Sequence, residues 1–351
     1  MERVHVTENA PLAPLTTLRL GGPARRLVTA RTDAEVVAAV QAADAAGEPL
    51  LVLGGGSNLV IGDAGFPGTV LRIATTGFEL TGTELELAAG EVWSEAVART
   101  VEAGLAGIEF LAGIPGSAGA TPVQNVGAYG QEVAQTITEV VAYDRQARET
   151  VTLPAADCAF SYRHSRFKAD PERYVVLRVR FALEEAGGDS SPVRYAEVAR
   201  TLGVEAGQRV PLSTAYRTVL GLRAGKGMVL DPADHDTWSA GSFFTNPVLT
   251  PEQYRAFQDR LAERSMTAPA YPAPDGHTKT SAAWLIDKAG FTKGYGSGPA
   301  TLSTKHTLAL TNRGRATTED LLVLAREVRD GVHAAFGVRL VNEPVMVGVR
   351  L

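Results

Sequence analysis

Leu50-Leu51-Val52-Leu53-Gly54-Gly55-Gly56-Ser57-Asn58-Leu59-Val60-Ile61-Gly62-Asp63-Ala64-Gly65-Phe66-Pro67-Gly68-Thr69-Val70-Leu71-Arg72-Ile73 is the stretch on which the fold turns. A short apolar strand running into glycines invites a dinucleotide-binding reading. That fingerprint needs a third glycine and a helix after the turn. Here Leu59 stands where the third glycine belongs, and residues 59–73 read as strand and turn. The Rossmann reading fails, and no Gly-Lys-Ser/Thr supports a P-loop. Two readings of the loop stay open: an anion nest of successive backbone N–H groups, or a plain strand-to-strand turn.

Upstream, residues 24–31 read as a strand. Thr32-x-x-Glu35 forms a capping box, and Val36, Val37, Val40 and Ala43 fill one helical face. Gly47 ends that helix, and residues 50–53 follow as a short buried strand, completing β-α-β. Downstream, residues 84–87 alternate, residues 94–103 read as helix, and residues 138–144 and 174–183 read as strands. Val175, Leu177, Val179 and Phe181 share a face. Glu-Glu-Ala-Gly-Gly-Asp-Ser-Ser-Pro, residues 184–192, is the best linker or loop candidate, and it should be mobile without a ligand. The last third is helix-rich. Thr250-Pro251-x-Gln253 caps a helix with the stripe Tyr254, Phe257 and Leu261. Leu321, Leu324, Val328, Val332 and Phe336 line another helix, which Gly337 ends.

At about 150 residues per domain, 351 residues suggest two or three domains. Lys and Arg number 34 against 39 Asp and Glu, a net charge of −5, which gives no electrostatic reason to expect nucleic acid or an anionic membrane. A single cysteine, Cys158, excludes a disulfide framework, and the six histidines never fall at a metal-ligand spacing. No signal-peptide core or transmembrane run is visible, so the expectation is a soluble, cytoplasmic protein with no membrane insertion and no metal, a monomer being favoured.

A second loop carries more. Gly113-Ile114-Pro115-Gly116-Ser117-Ala118-Gly119-Ala120-Thr121-Pro122-Val123-Gln124-Asn125-Val126-Gly127-Ala128-Tyr129-Gly130 combines glycines, prolines and paired amides. Glycines let a flat or charged ligand lie against the backbone, prolines stiffen the path, and amides offer donors and acceptors. Three further clusters lie far apart: residues 160–167 around Arg163, residues 241–247 around Ser242, and Val341-Asn342-Glu343-Pro344. Taken singly, each reads as well as a solvated cation, a turn serine or a loop charge.

In order, Gly-Gly-Gly-Ser-Asn, Gly-Ile-Pro-Gly-x-x-Gly-x-x-Pro-x-Gln-Asn-x-Gly-Ala-Tyr-Gly, Cys-x-Phe-x-Tyr-Arg-x-Ser, Gly-Ser-Phe-Phe-x-Asn-Pro and Leu-x-x-Glu-Pro span residues 54–344. The set resembles the UDP-N-acetylenolpyruvoylglucosamine reductases, flavoenzymes of peptidoglycan precursor synthesis. The resemblance implies an α+β protein: an FAD-binding fold of the vanillyl-alcohol oxidase type in two α/β lobes, residues 1–73 and 74–222, and a C-terminal α+β substrate-binding domain, residues 223–351. Its reaction would be reduction of UDP-N-acetylglucosamine enolpyruvate to UDP-N-acetylmuramate, with non-covalent FAD as cofactor and NADPH as co-substrate.

By the same resemblance, Gly54, Gly55, Gly56, Ser57, Asn58, Ile114, Pro115, Gly116, Thr121, Gln124, Asn125 and Gly127 would hold FAD. Arg163 would meet the charge that develops at the substrate carboxylate, Ser242 would protonate C2, and Glu343 would be the third catalytic residue, hydrogen-bonded to Arg163 or protonated. Tyr195 resembles the tyrosine that closes over the substrate diphosphate in the subtype with an extra loop. Arg223, Lys226 and Asn246 are candidates for the UDP phosphates. Cys158 reads as a buried structural residue. Two rivals differ in class: a covalent-flavin oxidase, for which Gly54 to Asn58 lacks the attachment histidine, and a non-catalytic nucleotide-sugar sensor, which has no reason to keep Arg163, Ser242 and Glu343 together.

Overall fold

A computed structural model of the chain describes residues 5–351, which fall into two units, each with its own core. The first unit takes residues up to Ala10, Ala24–Gly56 and Pro67–Val229. Two larger sheets lie in it, beside two two-stranded ribbons. One has four strands in the order His5–Pro11, Pro23–Ala30, Phe66–Ile73, Leu50–Leu53, the last two parallel. The other has five strands in the order Glu149–Pro154, Ile137–Asp144, Tyr174–Ala182, Glu84–Ala88, Phe78–Thr81, and every pairing is antiparallel. Period-two alternation explains the second sheet, since Val175, Leu177, Val179 and Phe181 all point into the core. Helix Asp33–Ala45 adds Val36 and Val40 to that core, and helix Trp93–Glu102 adds Trp93, Ala96 and Val97.

Three local expectations are corrected. Thr32 does cap its helix by accepting from the Glu35 N–H, but the Glu35 carboxylate accepts from Arg31 rather than from Thr32, so only half the box forms. Strand Leu50–Leu53 is not buried throughout: it lies at the edge of its sheet, Val52 is exposed and only Leu53 is fully covered. Residues 184–192 form a loop, as one of the two readings had it, and not a linker between units. They lie inside the first unit, where Glu184–Glu185 pairs with Leu105–Ala106 and the Ser190 N–H donates to the Val210 carbonyl at 2.7 Å. Ser190 is fully buried and the Ser191 N–H donates to the Glu109 carboxylate. These bonds fix the ends of the loop, while Gly187, Gly188 and Asp189 at its tip are exposed.

The second unit comprises Pro11–Pro23, Ser57–Phe66 and Leu230–Leu351. Its core gathers on helix Thr318–Phe336, whose buried row includes Leu321, Leu324, Val328, Val332 and Phe336, with Gly337 at φ +70° in the left-handed cap that glycine favours. Helix Pro251–Glu263 starts at a complete capping box, Thr250 with Gln253, and buries Phe257 and Leu261. Two early segments complete this unit by long-range pairing. Strand Leu59–Ile61 runs parallel to Val345–Val347, Thr318 Oγ1 donates to the Ile61 carbonyl at 2.7 Å, and Asn312 Nδ2 donates to the Leu18 carbonyl at 3.1 Å. No helix among the described residues is long and apolar enough to cross a membrane.

Candidate active site

In the first unit the two glycine loops meet as bare backbone. A β-carbon on Gly55 would stand 2.6 Å from the Gly116 Cα, and one on Gly54 would collide with the Ser117 hydroxyl. The Gly116 carbonyl accepts from the Trp93 N–H at 3.1 Å, and the Gly119 N–H donates to the Ala89 carbonyl at 2.9 Å, which fastens the second loop to the five-stranded sheet's end of the core. Gly55 meets Gly116 backbone to backbone, and Gly54 meets the Ser117 side chain. Such a surface suits a phosphate-bearing ligand held by backbone N–H groups. Gly54, Gly55 and Gly116, which the motifs singled out, are thus brought together.

Two of those residues turn inward. Thr121 is buried, and its hydroxyl donates to the Ala118 carbonyl at 2.7 Å. The Asn125 side chain is spent within the protein: Nδ2 donates to Glu132 at 2.8 Å and to the Ser161 carbonyl at 3.1 Å, and Oδ1 accepts from the Ala134 N–H at 3.1 Å.

Arg163 sits at the tip of a tight hairpin, where Ser161 and His164 exchange both backbone hydrogen bonds at 3.1 Å. Its φ of +53° is left-handed, a conformation an arginine adopts only when its surroundings hold it there. Its Nη2 donates to the Gly127 carbonyl at 2.7 Å, its Nη1 to the Asn125 carbonyl at 3.4 Å, and its own carbonyl accepts from Lys168 Nζ at 2.9 Å. Ser165 locks the base of the hairpin, donating to the Val123 carbonyl at 2.5 Å. The guanidinium is therefore presented beside the second glycine loop.

The other two candidates come together in the second unit. Residues 241–245 run antiparallel to residues 341–343: Phe244 bridges Asn342, the Glu343 N–H donates to the Phe243 carbonyl at 2.9 Å, and the Thr245 N–H donates to the Val341 carbonyl at 3.0 Å. Ser242 and Glu343, a hundred residues apart in the chain, thus lie on adjoining backbones, both half-buried. Phe243 and Phe244 are buried and packed edge to face at 5.1 Å, which anchors the serine from below.

Of the proposed substrate contacts, Tyr195 is the N-cap of helix Ala196–Leu202, 46% exposed, with its ring edge-on to Tyr129 at 5.4 Å. Lys226 is paired with Glu197 at 2.5 Å and lies 5.5 Å from the Tyr129 ring centre. Burial, the largest single influence, opposes its charge, but Glu197 together with Tyr129 and Tyr195 outweighs it and holds the ammonium above the ordinary lysine range. Arg223 differs. Its Nη2 donates to the Met228 carbonyl at 3.0 Å, but its Nε is buried without a partner, and burial pulls the guanidinium down to about 10. Asn246 is committed elsewhere, its Oδ1 accepting from Ala282 at the start of helix Ala282–Lys288.

The sequence reading missed Glu109, Glu132 and Lys168, which brace this region. Glu109 is fully buried and accepts from Gly107, Gln131 and Ser191. A single acid inside the apolar run Ile108-Glu109-Phe110-Leu111 was its visible signal. Lys168 and Glu132 look like surface charges in sequence, and only the fold reveals what they touch.

Residues 24–147 match the family described as FAD binding domain, and residues 231–347 match UDP-N-acetylenolpyruvoylglucosamine reductase, C-terminal domain. The chain is 76% identical to the UDP-N-acetylenolpyruvoylglucosamine reductase of Streptomyces avermitilis, covering 99% of this chain and 97% of that protein. The reductase of Mycobacterium tuberculosis is 51% identical over 99% of this chain and 96% of its own length. Among solved structures, the reductase of Thermus caldophilus is similar with a TM-score of 0.67 at 27% identity, covering 98% of this chain and 99% of that one. A 6-hydroxy-D-nicotine oxidase from Arthrobacter nicotinovorans shares the fold at a TM-score of 0.56 and 14% identity, over 97% of this chain and 89% of that one. With full-length identity this high, and with the motif residues placed as described, the chain belongs to the UDP-N-acetylenolpyruvoylglucosamine reductase family.

Proposed function

We propose that this chain reduces the enolpyruvyl double bond of UDP-N-acetylglucosamine enolpyruvate to give UDP-N-acetylmuramate, in peptidoglycan precursor synthesis, with Arg163, Ser242 and Glu343 as its reacting groups. The observation that carries the reading is the backbone pairing of residues 241–245 with 341–343, which makes one structural element of Ser242 and Glu343. Bound FAD supplies a two-electron carrier between NADPH and the enolpyruvyl C3. Gly54, Gly55, Gly56, Ser57 and Asn58, with Ile114, Pro115, Gly116, Gln124 and Gly127, would hold it non-covalently. Thr121 and Asn125 support that loop through the bonds their side chains make inside it. The two sheets of the first unit are read as the two lobes of the cofactor-binding fold.

Hydride arriving at C3 leaves negative charge on C2 and the carboxylate. A fixed guanidinium answers it, because a preorganised cation needs no rearrangement as charge develops. Arg163, held at two carbonyls, has that rigidity. Ser242 then gives its hydroxyl proton to C2. A serine is a weak acid, but it is fully protonated at neutral pH and a carbanion is basic enough to take the proton. Glu343 is the third reacting group, its charge kept compatible with the enolate by a hydrogen-bonded cation or by a proton of its own.

Arg223 is the stronger candidate for a substrate phosphate, since its buried Nε lacks an acceptor that an anion would supply. Tyr195 is assigned to the subtype whose tyrosine covers the diphosphate; it is exposed and its ring is already oriented by Tyr129. Tyr195→Phe should weaken substrate binding roughly ten- to hundredfold, as loss of one hydrogen bond to a charged group, with flavin content unchanged. The protein is assigned to the cytoplasm as a monomer, which size-exclusion chromatography with light scattering tests directly. The reaction itself is tested by following NADPH oxidation with and without UDP-N-acetylglucosamine enolpyruvate. Consumption that depends on the enolpyruvate is expected; oxidation that ignores it, with oxygen as acceptor, would point to an oxidase instead.

A further inference from the structure

We propose that Glu132 is a positioning residue for Arg163, acting through the two backbone carbonyls on which that guanidinium rests. The inference builds on the catalytic role assigned to Arg163. Those carbonyls belong to Asn125 and Gly127, and Glu132 braces both. Its carboxylate accepts from Asn125 Nδ2 at 2.8 Å. Its backbone pairs with Gly127 across the ribbon formed by strands Gly127–Ala128 and Gln131–Glu132. The same Asn125 Nδ2 also donates to the Ser161 carbonyl at the base of the Arg163 hairpin, so one amide ties Glu132 to that hairpin.

Steric and backbone facts agree. A β-carbon on Gly127 would lie 2.7 Å from Glu132 Cγ and 3.1 Å from Arg163 Nη1, so the acid's stem and the guanidinium flank the same empty spot. Asn125 and Arg163 are both held left-handed, at φ +47° and +53°, and such residues persist only where neighbours over-determine them. Glu132 supplies part of that restraint on the carbonyls that hold a cation which must stay fixed while charge develops on the substrate. Removing the carboxylate takes one of two acceptors from Asn125 Nδ2 and leaves the backbone of the glycine loops unchanged in sequence.

The test uses the flavin-loaded enzyme in anaerobic stopped flow, reading flavin reduction by NADPH and reoxidation by UDP-N-acetylglucosamine enolpyruvate separately. Glu132→Ala should slow reoxidation roughly ten- to hundredfold, the scale of a small misplacement of a reacting group, with flavin reduction and flavin content retained. Glu132→Gln, which keeps an acceptor for Asn125, should recover part of the loss. In an Arg163→Ala background, Glu132→Ala should add little, because coupled residues are not additive. A wild-type rate of reoxidation in Glu132→Ala while Arg163→Ala is slow overturns the proposal alone. Full additivity, or equal slowing of both half-reactions with flavin loss, also overturns it by making Glu132 a general stabiliser. A wild-type rate in Arg163→Ala overturns the role of Arg163 and the proposal with it.

Discussion

Gly55 faces Gly116 so closely that a β-carbon on the first would stand 2.6 Å from the Cα of the second. Backbone, unlike the end of a long side chain, cannot swing aside. Gly55→Ala should therefore push the two loops apart and cost the protein its flavin, because the ligand depends on both loops at once. The flavin absorbance per mole of purified Gly55→Ala, compared with wild type, checks this. Retention of stoichiometric flavin would mean that the loops do not form one cradle.

Asp236 provides a pH-dependent contribution in the second unit. It accepts from the Thr304 N–H at 2.9 Å, from the Thr304 hydroxyl and from Arg313 Nη1 at 2.8 Å. Burial pushes its carboxyl up, but the Thr304 and Arg313 hydrogen bonds outweigh burial and hold it below the ordinary 3.8. A carboxylate depressed in the folded state stabilises fully above its unfolded value and loses that contribution as pH falls through the folded value. Asp236→Asn should lower stability at pH 7 by about 1.5–3 kcal/mol, the range for hydrogen bonds to a charged group. The gap between variant and wild type should close below about pH 4. Urea unfolding midpoints at pH 7 and pH 3 give the comparison; a gap of equal size at both would show that charge is not what Asp236 contributes.

Cys158 should be inert while the protein is folded. Its thiol is fully buried and donates to the Pro154 carbonyl at 3.4 Å, and burial pushes it up to about 11. At pH 8 only about one such thiol in a thousand is ionised, and the thiolate is the reactive form. An aromatic disulfide reagent should label it only after denaturation. Rapid stoichiometric labelling of the native enzyme would contradict the buried assignment.

What was legible in the sequence was mostly what is local. The Thr250–Gln253 box, the left-handed Gly337 and the alternation of Val175 to Phe181 involve neighbours within a turn or a strand, so residue types alone imply them. Strand position within a sheet is not local, which is why Leu50–Leu53 read as buried and lies at an edge. The same limit hid the parallel pairing of Leu59–Ile61 with Val345–Val347, and with it the membership of residues 57–66 in the second unit. Residues 184–192 were legible as a loop, but not what holds its ends. Their polar side chains and glycines look unheld, yet their backbone is held by Val210, Glu109 and Leu105–Ala106, none of which the loop's own composition can reveal. The proposed reacting groups Arg163, Ser242 and Glu343 were picked out by motifs; what supports Arg163 was visible only in the fold.

The most direct measurement is the pair of half-reactions in Ser242→Ala, followed anaerobically by stopped flow. If the serine hydroxyl protonates C2, reduction of the bound flavin by NADPH stays close to wild type. Reoxidation by UDP-N-acetylglucosamine enolpyruvate then slows by at least ~10²-fold, the low end for a positioned acid. A wild-type rate of reoxidation in Ser242→Ala contradicts the assignment of that proton to Ser242.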